Sequence, residues 1–265
     1  MGNPKHLLWS EWERIHAREC GSPGPLSPTP LVVLTSAVVL LALLAYFGMV
    51  PYFGQGLAAL ERGGGRLGQW AGGVRRGPYL ELWSFAYWAL SCFVCYLLVP
   101  ALLVRLVLKE RLAAYGLSPR AALGHTRLYL ALYLAVLPLI VLASFGASFQ
   151  HTYPFYSKAA RSGFDFVVFE SLYALQFLSL EFFFRGYLLH SLKRHLGVYA
   201  IFVMTVPYAM IHFGKPFPET LGAVVAGLAL GTLSLRTGSI WGGVLIHVAV
   251  ALTMDVLSLW QRSAI

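Results

Sequence analysis

Apolar runs of 18 or more residues recur along this 265-residue sequence, and they restrict the fold more than any other feature. In hydrocarbon, only a helix or a closed barrel satisfies all of its backbone hydrogen-bonding groups. The runs do not alternate as barrel strands do, so each one predicts a transmembrane helix. We therefore predict an all-α, polytopic integral membrane protein with about seven transmembrane helices (six to eight). The predicted spans cover residues 31–50, 80–108, 128–149, 164–192, 198–212, 220–235 and 240–260.

The composition agrees with a membrane protein and argues against a nucleic-acid-binding protein. Apolar residues make up 58% of the chain and charged residues only 12%, whereas a soluble domain carries about a quarter charged residues. The net charge is +9, but the Lys and Arg residues mostly lie between apolar runs, where they meet anionic lipid headgroups. We predict membrane lipids as partners and no nucleic acid. Cys92 and Cys95 lack neighbouring metal ligands and are predicted to pack between helices.

Three regions follow one another along the chain. Residues 1–28 form a polar, proline-rich N-terminal segment, residues 29–163 contain accessory transmembrane helices and linkers, and residues 164–260 form a helical core predicted to be catalytic. Within the second region, residues 54–78 hold nine glycines and four arginines, which predicts a flexible or interfacial linker.

The distribution of Lys and Arg predicts the orientation. The N-terminus, the 105–127 loop and the 193–196 turn carry a modest excess of basic residues, which the positive-inside rule places on the cytoplasmic side. The arginines of residues 54–78 argue for the opposite orientation. The predicted location is a bacterial inner (cytoplasmic) membrane.

Ionisable side chains are concentrated in the last four predicted spans. Each costs at least ~2.5 kcal/mol to insert at the centre of a membrane, so each is a candidate functional residue with a partner to be found. These residues are Glu170, Glu181, Arg185, His212, His247 and Asp255.

Three of these residues are predicted to lie at a similar depth. At 1.5 Å per helical residue, Glu181, His212 and His247 lie roughly 18, 22 and 13 Å from the side of the 193–196 turn. With tilt and side-chain reach, all three converge on one layer. Arg185 follows Glu181 by four residues, on the same helix face, which favours an ion pair.

One carboxylate and two imidazoles suit hydrolysis. A Glu in a pocket of low dielectric can act as general base toward a water, and a neutral His can donate to a developing oxyanion. The same three residues could bind zinc, as two His and one Glu do in soluble zinc hydrolases. Arg185 would compete for the Glu181 carboxylate, so we expect no cofactor and no stoichiometric zinc.

These residues resemble the motifs of the CAAX-processing and bacteriocin-processing membrane endopeptidases, the CPBP or ABI family, over about residues 165–256. The family's first motif is Glu-Glu-x-x-x-Arg, and residues 181–185 match it from the second Glu onward. The second motif is Phe-x-x-x-His, matched by Tyr208 and His212 with Tyr for Phe. The third begins with a His, matched by His247.

Two positions depart from the family pattern. The resemblance implies that the first Glu of the first motif activates water, and Leu180 stands there. An Asn that helps to hold the oxyanion is replaced by Ala251. Either Glu181 is the base of a variant site, or the chain has the fold without the usual activity.

Five further residues are predicted to support Glu181, His212 and His247. Gln176 lies one turn before Leu180 and could line the same pocket, and Asp255 could bind His247 through a water or cap the helix end. Glu170 is about 16 Å from Glu181 along the helix and cannot replace the missing carboxylate. The residues predicted to support the site are Arg185, Tyr208, Gln176, Glu170 and Asp255.

The resemblance implies an intramembrane endopeptidase that cleaves a peptide bond near a membrane-embedded, lipidated or sorting-signal terminus, with a peptide or membrane-anchored protein as substrate. Two alternatives stay open. A catalytically silent family member could act as a membrane scaffold or immunity factor. A proton-coupled carrier could use the buried carboxylates as relays, although the inverted repeats typical of carriers are not seen.

Overall fold

The computed structural model describes residues 27–263, and the predicted all-α fold is confirmed, with no strand among those residues. The predicted polar segment 1–28 lies, except for its last two residues, outside the described residues. We number the nine principal helices of the described part in chain order. They are α1 (Pro28–Gly48), α2 (Val50–Gly63), α3 (Gly65–Arg76), α4 (Leu80–Val107), α5 (Thr126–Ser144), α6 (Gly163–Leu196), α7 (Tyr199–Met210), α8 (Phe217–Thr237) and α9 (Trp241–Ser263).

Six of these helices are long and apolar enough to cross a membrane: α1, α4, α5, α6, α8 and α9. This number agrees with the predicted six to eight. The span predicted at 198–212 is shorter than expected, because α7 has 12 helical residues. Twelve residues rise only about 18 Å, against a hydrocarbon core of about 30 Å. Helix α7 therefore reaches only part of the way through the bundle before its chain turns at His212.

The glycine-rich segment predicted as a flexible or interfacial linker forms a helical hairpin of α2 and α3. Gly64 and Gly65 make the turn with φ values of 70° and 67°, which glycine adopts at little cost. Across the hairpin, the Glu61 carboxylate lies 2.6 Å from Arg75 and 2.5 Å from Arg76. These two arginines lower the pKa of Glu61. The ion pairs join the two helices that the glycines separate.

The centre of the bundle is α6, whose residues 182–189 are all buried. This stretch is wound as a π-helix, in which each backbone N–H bonds five residues back. Tyr96 of α4 stacks on Phe183 with ring centroids 4.7 Å apart, and Ser36 of α1 contacts the Tyr187 hydroxyl at 2.7 Å. A helix apolar on all sides is buried on all sides. The accessory helices α1 and α4 thus cover one side of α6.

Two basic segments lie at one end of the bundle, as the charge pattern predicts. The loop between α4 and α5 binds the start of α9 through a hydrogen bond from Ile240 N to Gly116 O, 3.0 Å long. The same loop reaches the end of α6, where Arg194 lies 3.6 Å from Glu110. We call this end of the bundle the basic end.

Helices α7 and α8 pack closely because α8 presents glycines to α7. A Cβ at Gly227 would lie 2.7 Å from a carbon of Thr205, and one at Gly231 would lie 3.0 Å from Ile201. Such spacing of small residues lets helix backbones approach each other in membranes.

We predict that Gly227→Ala lowers the melting temperature of the purified protein in detergent. The added methyl group overpacks the α7–α8 contact, at a cost of about 1–3 kcal/mol. Gly222→Ala in the same helix is the matched control, because nothing lies within 4 Å of its Cβ. A melting temperature that stays the same in both variants would contradict the packing argument.

Candidate functional site

A buried carboxylate joins α6 to α9. Oε1 of Glu181 lies 3.0 Å from Nη1 of Arg185 and 2.8 Å from Nδ1 of His247. Both Glu181 and Arg185 are fully buried. Neither contact has the angle of a hydrogen bond. The Arg185 contact is an ion pair between two buried charges, and the His247 contact places an imidazole nitrogen beside the same carboxylate oxygen. The structure therefore brings together two of the three residues predicted to share one layer, and it forms the predicted pair of Glu181 with Arg185.

Arg185 also contacts the two helices that follow α6. Its guanidinium lies over the Tyr208 ring of α7, 4.0 Å from the ring centroid, and its Nη2 donates to the Ala226 carbonyl of α8 at 3.5 Å. A cation over an aromatic face is stabilised by the ring quadrupole, the more so when water is excluded. Together, Glu181 and Arg185 contact α7, α8 and α9 from one face of α6.

Tyr208 lies between the two histidines. Its hydroxyl is 3.0 Å from Nε2 of His247, and its backbone carbonyl is 2.8 Å from Nδ1 of His212. The His212 ring lies edge-on to the Tyr208 ring, with centroids 5.0 Å apart. His212 thus joins the cluster through Tyr208, while His247 contacts Glu181 directly. Sequence did not indicate that only one of the two histidines contacts Glu181 directly.

The Tyr208 carbonyl orients the His212 ring. His212 follows α7 in the turn that leads to α8 and is half-buried. Its Nδ1 faces the carbonyl oxygen, which assigns the proton of the neutral ring to that nitrogen. Nε2 of the same ring is then a hydrogen-bond acceptor.

The site is open to the surface of the bundle on the side of His247. The side chain of His247 is 15% exposed, whereas Glu181 is fully enclosed. Phe177 covers one face of the His247 ring at 5.3 Å, nearly parallel to it, and Gly243 lies directly against Oε2 of Glu181. The imidazole is therefore the more accessible of the two groups.

The two positions that depart from the family motifs are both apolar and buried. Leu180 belongs to the main hydrophobic cluster together with Phe182 and Tyr208. Ala251 packs in a second cluster, with Phe169 and Tyr173. The Leu180 and Ala251 side chains themselves supply neither a carboxylate nor an amide. Whatever chemistry the site performs depends on the remaining residues.

Glu170 and Asp255 pair with each other, away from Glu181. Their carboxyl groups are within hydrogen-bonding reach, and neither oxygen of Asp255 has a donor partner among the described residues. Two neighbouring carboxyl groups repel each other when both are ionised, so each affects the charge of the other. Asp255 therefore lies beside Glu170, and its water-bridged contact with His247 stays a prediction.

Gln176 is buried on another face of α6. Five residues separate it from Glu181, which turns its side chain about 140° around the helix. Its Oε1 has no hydrogen-bond partner in the described part of the chain. Gln176 lies one turn before Leu180, and its place in the lining of the site stays a prediction.

Across residues 27–263, no group of three or more His, Cys, Asp and Glu side chains is arranged to hold a metal ion. Oε1 of Glu181 already faces Arg185, the competition that the sequence indicates.

Sequence reasoning missed two residues that shape the site, Phe177 and Gly243. Each precedes a polar site residue, Glu181 or His247, by four positions, so each lies one turn away on the same helix face. That spacing could have identified them, because residues stacked at i−4 border the same surface. Gly243 in particular leaves room for a side chain from another helix, which sequence cannot show.

We predict that Gly243→Ala lowers the stability of the purified protein by about 1–3 kcal/mol, because the new methyl group overlaps the Glu181 carboxylate. Thermal unfolding in detergent measures the effect. Gly222→Ala, which adds the same methyl group where nothing lies within 4 Å, should leave the transition near its original temperature. Equal stability of both variants would mean that Glu181 does not lie against α9.

One family model matches the chain over residues 163–253, and its description is Rce1-like, type II CAAX prenyl endopeptidase Rce1-like. The matched residues run from the start of α6 into α9 and contain Glu181, Arg185, Tyr208, His212 and His247. The resemblance carried by the three short motifs is confirmed over this segment. No curated protein and no solved structure matches the chain.

Proposed function

Residues 163–253 belong to the CPBP family of CAAX-type membrane proteases, and from this premise we propose that the chain is an intramembrane endopeptidase with a variant site. The observation that carries the proposal is the 2.8 Å contact between the buried Glu181 and His247, whose side chain is 15% exposed. A buried carboxylate behind an accessible imidazole is an arrangement that orients and polarises a general base.

His247 is the residue proposed to contact water. Glu181 was predicted from sequence to be the base, but its enclosure and its contacts with Arg185 and His247 favour action through His247. In the proposed tautomer Nδ1, which lies 2.8 Å from Glu181, carries the proton, and Nε2, which faces the Tyr208 hydroxyl, carries the lone pair. A water that takes the place of that hydroxyl gives its proton to Nε2 while its oxygen attacks the peptide carbonyl. The proton then passes to the leaving amine.

His212 is proposed to bind the substrate near the attacked bond, because it contacts Tyr208 edge-on and so lies close to His247. Its Nδ1 proton faces the Tyr208 carbonyl, so Nε2 of the neutral ring carries the lone pair and accepts a hydrogen bond from a water or from an amide N–H of the substrate. In this tautomer the ring does not donate to an oxyanion, which is the role that sequence suggested for it.

The proposed substrate is a peptide or membrane-anchored protein cleaved close to a lipidated, membrane-embedded or sorting-signal terminus. The family description names a prenyl endopeptidase, which supports a lipidated C-terminus as the first substrate to test. A site buried within a helix bundle suits a substrate that is itself held in the membrane. The proposed location is a bacterial inner membrane.

We predict that His247→Gln and Glu181→Gln each lower kcat for cleavage of a quenched farnesylated peptide by at least about 100-fold, the contribution typical of a general base. KM should change little, because neither side chain is proposed to bind the lipid or the peptide termini. The assay uses purified protein in liposomes, and thermal unfolding checks that each variant is folded.

Glu170→Gln is the matched control, since it also replaces a membrane-buried Glu with its amide, about 16 Å from Glu181 along α6. It should cleave at the original rate. Loss of activity in Glu170→Gln with retention in Glu181→Gln would move the site to the Glu170–Asp255 pair and contradict the proposal.

A catalytically silent membrane scaffold or immunity factor is the second candidate, and burial of Leu180 in the hydrophobic cluster favours it. If the chain is a silent scaffold, the original protein cleaves no member of a peptide panel, and the variant Glu181→Gln changes only the stability. Cleavage by the original protein that depends on His247 would exclude the scaffold.

A further inference from the structure

A cavity of about 610 Å³ opens at the basic end of the bundle, between the start of α5 and the end of α8. The basic side chains that line it are His125 and Arg127 at the start of α5 and Arg236 in the last turn of α8, and Thr126 also lines it. This cavity lies apart from the Glu181–His247 cluster, and none of its lining residues takes part in the proposed hydrolysis.

The cavity concentrates positive charge without a counter-charge. No Asp or Glu lines it, and neither Arg127 nor Arg236 has an ion-pair partner among residues 27–263. Arg127 also lies in the first turn of α5, where the helix dipole already favours an anion and disfavours a cation. An unpaired arginine at that position is stabilised when an anion binds there.

Hydrogen-bond donors at the cavity also lack partners. Helix α5 begins without a side-chain cap, which leaves backbone N–H groups of its first turn available. Nδ1 of His125 is buried and has no hydrogen-bond partner in the described part of the chain. Two guanidinium groups and a helix N-terminus form a set of donors that matches the oxygens of a phosphate group.

The helices below the cavity present apolar side chains to the lipid. On α5, Leu130 and Leu134 are 56% and 51% exposed, one and two turns from Arg127. On α8, Val225 is 68% exposed on the same face as Arg236, three turns away. Tyr129 of α5 and Leu233 of α8 belong to one hydrophobic cluster, which also contains Ile246 of α9. Each arginine therefore stands at the end of a stripe that acyl chains can cover.

We propose that this cavity binds the phosphate of an anionic phospholipid, with Arg127 and Arg236 on the headgroup and the acyl chains along the exposed stripes of α5 and α8. Charge complementarity selects an anionic headgroup, and the apolar stripes select a lipid over a free phosphate. The phosphate lies between the two guanidinium groups and receives hydrogen bonds from the start of α5. The bound lipid joins α5 to α8 at the basic end.

Competition between lipids in nanodiscs tests the site. A fluorescent phosphatidylglycerol probe is titrated against the full-length protein in phosphatidylcholine nanodiscs, and binding is followed by energy transfer from the protein's tryptophans. The double variant Arg127→Gln/Arg236→Gln should bind phosphatidylglycerol about 30-fold more weakly, at about fivefold for each basic residue near the headgroup. Both side chains are exposed, so the variant should keep its melting temperature.

The matched control removes the same charge elsewhere on the chain. Arg105→Gln/Arg111→Gln replaces two exposed arginines that do not line the cavity, and it should bind phosphatidylglycerol as the original protein does. An equal loss in both double variants would show a diffuse charge effect and overturn the site. Displacement of the probe by micromolar glycerol phosphate would assign a soluble phosphate ligand and overturn the lipid assignment.

Discussion

The buried ion pair of Glu181 and Arg185 is the interaction on which the C-terminal bundle depends. Each charge costs at least ~2.5 kcal/mol to insert at the membrane centre, and leaving either one unpaired costs about 3–5 kcal/mol. Arg185 contacts the Tyr208 ring and the Ala226 carbonyl, and Glu181 contacts His247. Because separating the two charges costs this much, the pair and its contacts fix the relative positions of α6, α7, α8 and α9. The hydrophobic packing around residues 182–189 then excludes water and strengthens the pair further.

The same pair explains why the proposed chemistry lies with the histidines. Glu181 is enclosed by Arg185, His247 and Gly243, whereas the side chain of His247 is partly exposed. A carboxylate in that position orients an imidazole instead of holding water itself. With Leu180 buried among apolar side chains, no second carboxylate takes the water-activating role that the family motif assigns to its first Glu. The variant motif and the geometry therefore both favour a mechanism in which Glu181 orients His247 and His247 activates the water.

Much of the fold followed from the apolar runs, because in hydrocarbon a helix satisfies the hydrogen-bonding groups of its own backbone. The i, i+4 pairing on α6 and the similar depth of the polar residues on α6 and α9 also followed, since both depend on helix rise alone. Contacts between helices did not follow. The pairing of Asp255 with Glu170 and the fit of Gly243 against Glu181 depend on helix rotation, which the sequence of one helix does not determine. The hairpin of α2 and α3 depends on ion pairs between segments whose glycines suggested a flexible chain.

A double-mutant cycle on Glu181 and His247 tests most directly whether the carboxylate acts through the imidazole. The single variants Glu181→Gln and His247→Gln and the double variant are compared by kcat/KM on one lipidated peptide in liposomes. If Glu181 only orients and polarises His247, the double variant is no slower than the slower single variant, because residues that act as a unit are not additive. Rate losses that multiply in the double variant would show that Glu181 acts on water or substrate independently, and would contradict this account.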